Sequence, residues 1–284
     1  MRLGYNTNGF AHHRLEDALA ILAELGYESV AMTLDHHALD PFADDLPDQR
    51  NQIRSLLERL SLRSVIETGA RFLLDPRRKH QPTLISPDPQ ERERRFHLLR
   101  RAVDIARELH CDAVSFWSGA PTSAEPEQVL FQRLVKACQR LTDHAVLRNV
   151  QLAFEPEPGM FIDTLSKFAP LHKAVGHPAF GLTVDIGHLH CQDEVPIAER
   201  LREWQAVLHN VHIEDMRRGV HEHLMFGEGE IDFVPVLRTL EEIGYSGGVH
   251  VELSRHGHDA VNTARGAITY LKEIRKNQPV PAKT

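Results

Sequence analysis

Hydrophobic and polar positions along the chain follow two alternating patterns, one typical of buried strands and one of amphipathic helices. Short β-rich runs predict eight strands, at Arg2–Asn6, Ser29–Thr33, Arg63–Glu67, Ala113–Trp117, Gln151–Glu155, Gly181–Asp185, Val207–His212 and Gly248–Glu252. Between them, apolar residues recur with helical spacing, most clearly in Leu15–Leu25, Gln49–Leu60, Arg94–Leu109, Gln128–Leu147 and Phe233–Ile243. Two helical patterns stop at Gly26 and Gly244, since glycine adopts the left-handed conformation of a helix end at little cost.

Strands that alternate with helices in this way predict a parallel sheet, and eight such units favour closure into a barrel. The alternative is a doubly wound open sheet, which would want a glycine-rich phosphate loop after an early strand. The chain has no GxGxxG or GxxxxGK[ST] sequence. We therefore expect an α/β fold with a single (β/α)8 TIM barrel over residues 1–276, followed by a flexible C-terminal tail at 277–284.

Composition narrows the classes of function. The 284 residues are enough for one barrel, which typically needs about 250. A net charge of −7 argues against a nucleic-acid partner, because phosphate binding needs a concentrated positive surface. Three widely spaced cysteines suit a reducing compartment, and no signal segment or membrane span is recognisable. We expect a cytoplasmic protein that has no membrane partner and could form a homo-oligomer.

The predicted strands end in chemically reactive side chains. Strands three, five, six, seven and eight end in Glu67, Glu155, Asp185, His212 and Glu252, each after an apolar run. A charged group at the end of a buried strand is costly unless it is paired, hydrogen-bonded or bound to metal. Barrel enzymes carry their sites at this rim, so the five side chains should converge. A divalent cation is the simplest way to neutralise the acids among them.

Histidines near these strand ends extend the pattern. The sequence DIGH places His188 three residues after Asp185, and HEH supplies His221 and His223. Alternate residues of an extended segment point the same way, so His221 and His223 could hold one ion together. An exposed loop with incidental histidines explains that pair equally well.

The motifs FEPEPG, TVDIGH, VHIED, FGEGEIDF and HVELS, in this order and spacing, resemble the xylose isomerase-like TIM-barrel superfamily. That superfamily contains sugar isomerases and epimerases, inosose-processing enzymes and DNA-repair enzymes of the endonuclease IV type. The resemblance spans nearly the whole chain and is specific for the superfamily rather than for a substrate.

The resemblance implies roles for individual residues. It implies a metal bound by Glu155, Asp185, His212 and Glu252, of which Glu155 and Glu252 also serve as the acid/base pair in ketose 3-epimerases. The residue like His188 contacts substrate in those enzymes. A residue in the position of Arg218 binds substrate oxygens.

The endonuclease-type members suggest a second metal, held by residues like His188, His221 and His223. The match is imperfect, because those members carry aspartate where His221 stands. They also place histidines at the ends of strands three and four, where this chain has Glu67 and Trp117. These departures count against a complete trinuclear phosphodiesterase site.

These residues lead to two hypotheses for the reaction that the protein catalyses. The first is a divalent-metal-dependent isomerase or epimerase of a sugar or sugar-like polyol ketone, in which Glu155 and Glu252 transfer protons through a metal-stabilised enediolate. The alternative is a binuclear metal-dependent hydrolase or phosphodiesterase of the endonuclease IV type. A non-catalytic binding protein is a third class, disfavoured by the apparently complete ligand set.

Further side chains are candidates for substrate contact in the isomerase reading. They are Glu67, Trp117 and Arg255, although Trp117 could equally be an ordinary rim residue and Arg255 a solvated one. Glu157 could support Glu155 or be a plain loop acid. The mixed oxygen and nitrogen ligands suit Mn, Zn, Fe or Co, with one or two ions per chain. The expected partner is a small carbohydrate-like molecule.

Overall fold

The structure, a computed structural model, describes residues 1–69 and 71–276. Eight parallel strands close into a barrel in which strands that follow one another along the chain are neighbours and the last barrel strand pairs with the first. The prediction of a (β/α)8 TIM barrel is confirmed. The predicted tail at 277–284 lies outside the described residues.

The barrel strands are short and match the sequence pattern closely. They are β1 (Arg2–Asn6), β2 (Ser29–Thr33), β3 (Arg63–Glu67), β4 (Ala113–Phe116), β5 (Gln151–Phe154), β6 (Phe180–Asp185), β7 (Leu208–Ile213) and β10 (Gly248–Val251). Strands β4, β5 and β10 end one residue earlier than predicted. Trp117, Glu155 and Glu252 therefore begin the loops that follow these strands and still stand at the rim.

Helices surround the barrel. They are α1 (Leu15–Leu25), α2 (Leu46–Leu60), α3 (Pro89–Leu109), α4 (Glu127–Val146), α5 (Leu165–Val175), α6 (Ile186–Cys191), α7 (Ile197–Trp204), α8 (Phe233–Glu242) and α9 (Ala260–Lys276), with 3-10 turns at Thr7–Phe10, Gln205–Val207 and Gly257–Asp259. Helices α2 and α3 begin earlier than their apolar pattern indicated, each with a proline in its first turn. Proline is well tolerated there because that N–H has no partner within the helix.

A two-stranded antiparallel hairpin follows β7 and is formed by β8 (Asp215–Arg217) and β9 (Val220–Leu224). The carboxylate of Asp215 holds the chain after this hairpin, since it accepts from the backbone N–H groups of Gly227 at 2.8 Å and Ile231 at 3.1 Å. The sequence analysis predicted an extended segment around HEH but not its pairing with residues 215–217.

The apolar core lies mainly between the strands and the surrounding helices. Inside the barrel the apolar side chains are small, and a separate buried cluster consists of Ala31, Val65, Ala113 and Ala153. Polar groups stack above them, as in the 3.0 Å contact between the hydroxyls of Ser115 and Thr183. Because side chains alternate across each strand, inward-pointing residues two positions further along reach the rim.

Candidate metal centre

A cavity of about 340 Å³ opens at the C-terminal ends of the barrel strands. Such a volume lies at the lower end of the range for small-molecule sites, roughly 300–1,000 Å³. Its lining is rich in carboxylate, imidazole and basic side chains. It includes four of the five predicted strand-end residues, namely Glu67, Glu155, His212 and Glu252, and loop residues that the sequence analysis did not single out.

Three carboxylates and one imidazole come together at the floor of this cavity. They are Glu155, Asp185, His212 and Glu252, whose ligand atoms all lie within 4.8 Å of one another. His212 Nδ1 is 3.1 Å from Glu155 Oε1 and 2.9 Å from Glu252 Oε2. The structure therefore brings the four predicted metal ligands to one point, as their strand-end positions indicated.

The two nitrogens of His212 face different partners. Nδ1 points into the carboxylate group, whereas Nε2 lies 2.9 Å from Glu67 Oε1. A carboxylate behind a histidine fixes the orientation and tautomer of the ring, as is usual for histidines that bind metal through the opposite nitrogen. Glu67 lines the cavity, but its closest contact is this one with His212.

A chain of buried polar groups continues from Glu67 into the barrel. Glu67 Oε1 accepts from Asn210 Nδ2 at 3.1 Å, and His250 Nδ1 donates to Asn210 Oδ1 at 2.9 Å. The other nitrogen of His250 is then left to accept from the hydroxyl of Ser29, 2.9 Å away. Burial and the nearby His212 charge lower the pKa of His250 to about 3, in agreement with a neutral ring.

His250 fits inside the barrel because two neighbouring positions are glycine. A Cβ at Gly4 or at Gly248 would overlap the imidazole ring. Asn210 and His250 are fully buried and lie below His212 and Glu252 on the same strands. This polar layer supports the rim residues from beneath.

The two carboxylate oxygens of Asp185 have different surroundings. Its Oδ1 accepts from the backbone N–H of His188 at 2.8 Å and so caps helix α6. Its Oδ2 is buried and has no hydrogen-bond partner in the described part of the chain. A buried carboxylate oxygen without a partner is costly, and a cation at the point shared with His212 would satisfy it. The donor set therefore fits a divalent metal ion.

The electrostatics of the cluster also favour a bound cation. Burial raises the pKa of Glu155 to about 8. Burial disfavours the charged form of His212, but Glu67, Glu155 and Glu252 together raise its pKa well above the ordinary value. Burial opposes ionisation of Glu252, yet His212 keeps its pKa well below the usual range. In the protein without metal, the raised pKa values of Glu155 and His212 thus favour bound protons at the position where a metal ion would place its positive charge.

Three further histidines meet beside the carboxylate group. They are His188 of α6 and His221 and His223 of β9, which the structure brings together as one potential ligand set. His188 Nε2 lies 3.1 Å from His221 Nε2, and the rings of His221 and His223 are 5.3 Å apart between centroids. Burial is the main cause that lowers the pKa of His188, to about 4. A neutral imidazole is the form that binds metal.

Glu214, two residues after His212, was not singled out from the sequence. It is fully buried, and neither of its carboxylate oxygens has a hydrogen-bond partner among the described residues. Its Oε2 lies 3.8 Å from His223 Nδ1, and burial together with Asp185 raises its pKa well above the usual value. The absence of a side chain at Gly187 leaves the space that this carboxyl occupies.

Trp117, Arg255 and Glu157 line the cavity, but Arg218 does not. Trp117 is almost fully buried, and the Arg95 guanidinium lies 4.4 Å from its ring centroid. Arg218 is exposed on the hairpin turn and pairs with Asp193 at 3.2 Å. The expectation that Arg218 binds substrate therefore finds no support in the geometry, because its side chain is directed away from the cavity.

Residues 19–274 match the sequence pattern of a family described as Xylose isomerase-like TIM barrel. This chain belongs to that family. The resemblance inferred from the motifs is thereby confirmed, and the match includes all four candidate metal ligands.

Curated relatives and solved structures agree with the xylose isomerase-like assignment. L-ribulose-5-phosphate 3-epimerase UlaE of Escherichia coli (strain K12) is 25% identical over 241 residues, which are 84% of this chain and 81% of UlaE. A D-allulose 3-epimerase from Methylomonas sp., in complex with D-allulose, superimposes with a TM-score of 0.76 at 20% identity, covering 96% of each chain. The IOLI protein with a bound zinc atom gives a TM-score of 0.77 at 17% identity, covering 99% of this chain and 100% of IOLI.

These comparisons bear out the expectation of an enzyme of the sugar isomerase or epimerase class. In the described residues, no helix combines the length and apolar character needed to cross a membrane. The sequence analysis missed several cavity residues of this xylose isomerase-like barrel. They are Asn8, Arg71, Lys79 and His80. They lie in turns and loops, where no periodic pattern signals direction.

Proposed function

We propose that this chain is a divalent-metal-dependent isomerase or epimerase acting on a sugar or a sugar-like polyol ketone. The observation that carries the proposal is the convergence of Glu155 and Glu252 on the same nitrogen of His212, from strands β5 and β10. In the barrel order, β6 and β7 separate these two strands, so the carboxylates approach the cavity from different sides. The relatedness to UlaE supports the same reaction class.

The residues that would hold the ion are Glu155, Asp185, His212 and Glu252. When bound there, a divalent ion such as Mn, Zn, Fe or Co supplies Lewis-acid polarisation of a ketone and its neighbouring hydroxyl. The chain contributes the orientation of the ligands. Glu67 fixes the His212 ring and the α6 N-terminus fixes Asp185.

Glu155 and Glu252 are suited to move a proton at the carbon beside the ketone. Asn8 Nδ2 donates to Glu252 Oε1 at 2.7 Å and holds this carboxylate in place. The pKa of Glu155 is raised to about 8, mainly by burial, whereas that of Glu252 lies well below the usual range. Two carboxyl groups on different sides of one cavity can act as a proton-transfer pair. In this assignment one of the two groups removes the proton and the other returns one from its own side.

The walls of the cavity would position the substrate. Trp117 offers an apolar face for C–H groups, with Arg95 stacked at 4.4 Å from its ring centroid to fix it. His188 lines the cavity beside the carboxylate group and could hydrogen-bond substrate hydroxyls. Glu157 also faces the cavity, and burial raises its pKa to about 7, so it can donate as well as accept.

Isotope exchange from solvent tests this proposal directly. The metal-loaded protein is incubated in deuterated water with ketoses, inososes and their phosphates, and the products are examined by NMR and mass spectrometry. Proton transfer through Glu155 and Glu252 predicts deuterium at a carbon beside the carbonyl. Turnover without any deuterium would indicate a hydride shift, and the absence of both turnover and exchange across the panel would refute an isomerase or epimerase.

The histidine cluster favours one second candidate, a binuclear metal-dependent hydrolase. His188, His221 and His223 meet beside the carboxylate group, and three imidazoles can hold a zinc-like ion while leaving a position open for water. Glu67 weighs against a nuclease-like site. It contacts His212 at the end of β3, where such a site would have a histidine.

A further inference from the structure

Basic side chains gather at one side of the cavity mouth. Arg71 and Lys79 come from the loop between β3 and α3, and Arg255 comes from the loop after β10. All three line the cavity whose floor carries the carboxylate group. The wall therefore changes from acidic at the floor to basic at the rim.

The β3–α3 loop is tied together so that Arg71 and Lys79 stand at the same edge. The backbone N–H of His80 donates to the carbonyl oxygen of Arg71 at 2.6 Å, which brings the two ends of the segment together. Within it, Asp75 pairs with Arg78 at 2.7 Å and also accepts from the backbone N–H of Arg77 at 2.9 Å. The backbone positions of Arg71 and Lys79 at the mouth are thus fixed by hydrogen bonds within the loop.

Arg71 and Lys79 form no ion pair with another residue in the described part of the chain. The ion pairs of this loop join Arg78 to Asp75 and to Glu91 at 2.7 and 2.8 Å, and they include neither Arg71 nor Lys79. Both cations act on His80, whose pKa is lowered to about 4 by burial first and then by these neighbouring charges. Glu157 feels the charge of Lys79 across the cavity, but neither cation forms an ion pair in the described part of the chain, so positive charge remains available at the mouth.

We propose that Arg71 and Lys79, together with Arg255, form a subsite for an anionic group of the substrate, so that the enzyme acts on a ketose or keto-polyol bearing a terminal phosphate or carboxylate. This inference rests on the proposed function, because it takes the ketone to lie at Glu155 and Glu252. The anionic end then extends toward the mouth, away from the three carboxylates of the metal centre that would repel it. Guanidinium and ammonium groups are the usual partners of both oxyanions.

The charge balance suits such a group. A phosphate monoester carries a charge of about −1.5 to −2 at neutral pH, which two free cations can match. Arg255 is already paired with Glu222 at 3.2 Å on the exposed side of the mouth, so its contribution is smaller than that of Arg71 and Lys79.

The test compares three ketose substrates that differ in their terminal group: a neutral ketopentose, its 5-phosphate and a ketohexuronate. The metal-loaded protein is assayed for kcat/KM on each, alongside Arg71→Gln, Lys79→Gln and the control Arg77→Gln, an exposed arginine of the same loop outside the cavity lining. We expect a charged substrate to be preferred, and each rim variant to lower its kcat/KM about 10–100-fold. The neutral ketose and the control should change little.

A binding measurement separates this inference from the proposed reaction. Titration calorimetry with ribitol 5-phosphate and with ribitol needs no turnover, and the phosphate form should bind more tightly, with the difference lost in the rim variants. Preference for the phosphate or for the uronate identifies the anion, and either supports the subsite. Equal binding and equal kcat/KM for neutral and charged compounds would overturn it, even if deuterium exchange upholds the epimerase. Loss of all exchange with retained anion binding would reject the reaction and keep the subsite.

Discussion

Glu67 Oε1 lies 2.9 Å from Nε2 of His212, on the side of the ring opposite the three carboxylates of the candidate metal centre. This contact leaves Nδ1 as the nitrogen that faces the metal position. A residue at the end of β3 thereby orients a ligand on β7, across the interior of the barrel.

Removal of this contact should weaken metal binding without removing a ligand. We expect Glu67→Ala to lower the affinity for a divalent ion about 10–100-fold, as is typical for partners that orient a ligating histidine. Glu67→Gln should restore most of the affinity, since its amide oxygen can still accept from His212. Competition with a chelating dye would measure both constants, and thermal unfolding of the metal-free variants would control for folding. Unchanged affinity in Glu67→Ala would show that His212 needs no such support.

Metal binding should release protons. In the metal-free protein the pKa of His212 lies well above its ordinary value and that of Glu155 is about 8, so both groups hold a proton at pH 7. An ion needs the neutral imidazole and the carboxylate, so we expect about one to two protons released per ion at pH 7. The affinity should consequently rise with pH until both groups have lost their protons.

Calorimetry in buffers with different ionisation enthalpies would count these protons between pH 6 and pH 9. The heat should depend on the buffer at pH 7 and depend on it less toward pH 9. A binding heat that is the same in every buffer at pH 7 would mean that the site is already deprotonated, contrary to the environment of His212.

Replacement of the two candidate proton-transfer groups should abolish most turnover. We expect Glu155→Gln and Glu252→Gln each to reduce kcat about 10²–10⁴-fold on an accepted ketose, because the amide keeps an oxygen ligand but cannot act as a base. Glu228→Gln removes an exposed acid outside the cavity lining and serves as the control. Bound metal should be quantified in every variant. Full turnover in both cavity variants with metal retained would place the base elsewhere.

The number of ions per chain separates the two candidate reactions. If His188, His221 and His223 hold a second ion, the saturated protein should contain two ions, and a double change of His221 and His223 to Ala should remove one of them. Elemental analysis after gel filtration would give the count, with His36→Ala as a control at an exposed histidine. A single ion in the saturated wild-type protein would exclude the binuclear hydrolase and leave these histidines as contacts for substrate hydroxyls.

The sequence predicts the fold and the floor of the site because both depend on periodic patterns. Glu155, Asp185 and Glu252 each stand at the end of an apolar strand, and barrel geometry alone then brings them together. Asn210 could have been found in the same way, since it precedes His212 by two positions and shares its side of β7.

Residues in irregular segments could not be predicted in this way. The family resemblance implied that Arg218 binds substrate oxygens, but in the structure Arg218 lies on the turn between β8 and β9 and pairs with Asp193. Conversely, Arg71 and Lys79 lie in a loop without periodicity, and their place at the mouth depends on contacts of the loop such as the hydrogen bond between its ends. In such segments the direction of a side chain depends on tertiary contacts rather than on the local sequence pattern.

The buried polar layer beneath the metal centre also limits the route by which substrate enters and product leaves. Ser115, Thr183, Asn210 and His250 have no exposed surface, so the barrel is sealed below the cavity. A substrate must therefore enter with its ketone end leading. The product must leave through the same opening, with its other end leading. Tighter binding of an anionic group by Arg71 and Lys79 would then slow product release as well as speed substrate binding. This sets an upper limit on the affinity of the basic rim that is useful for turnover.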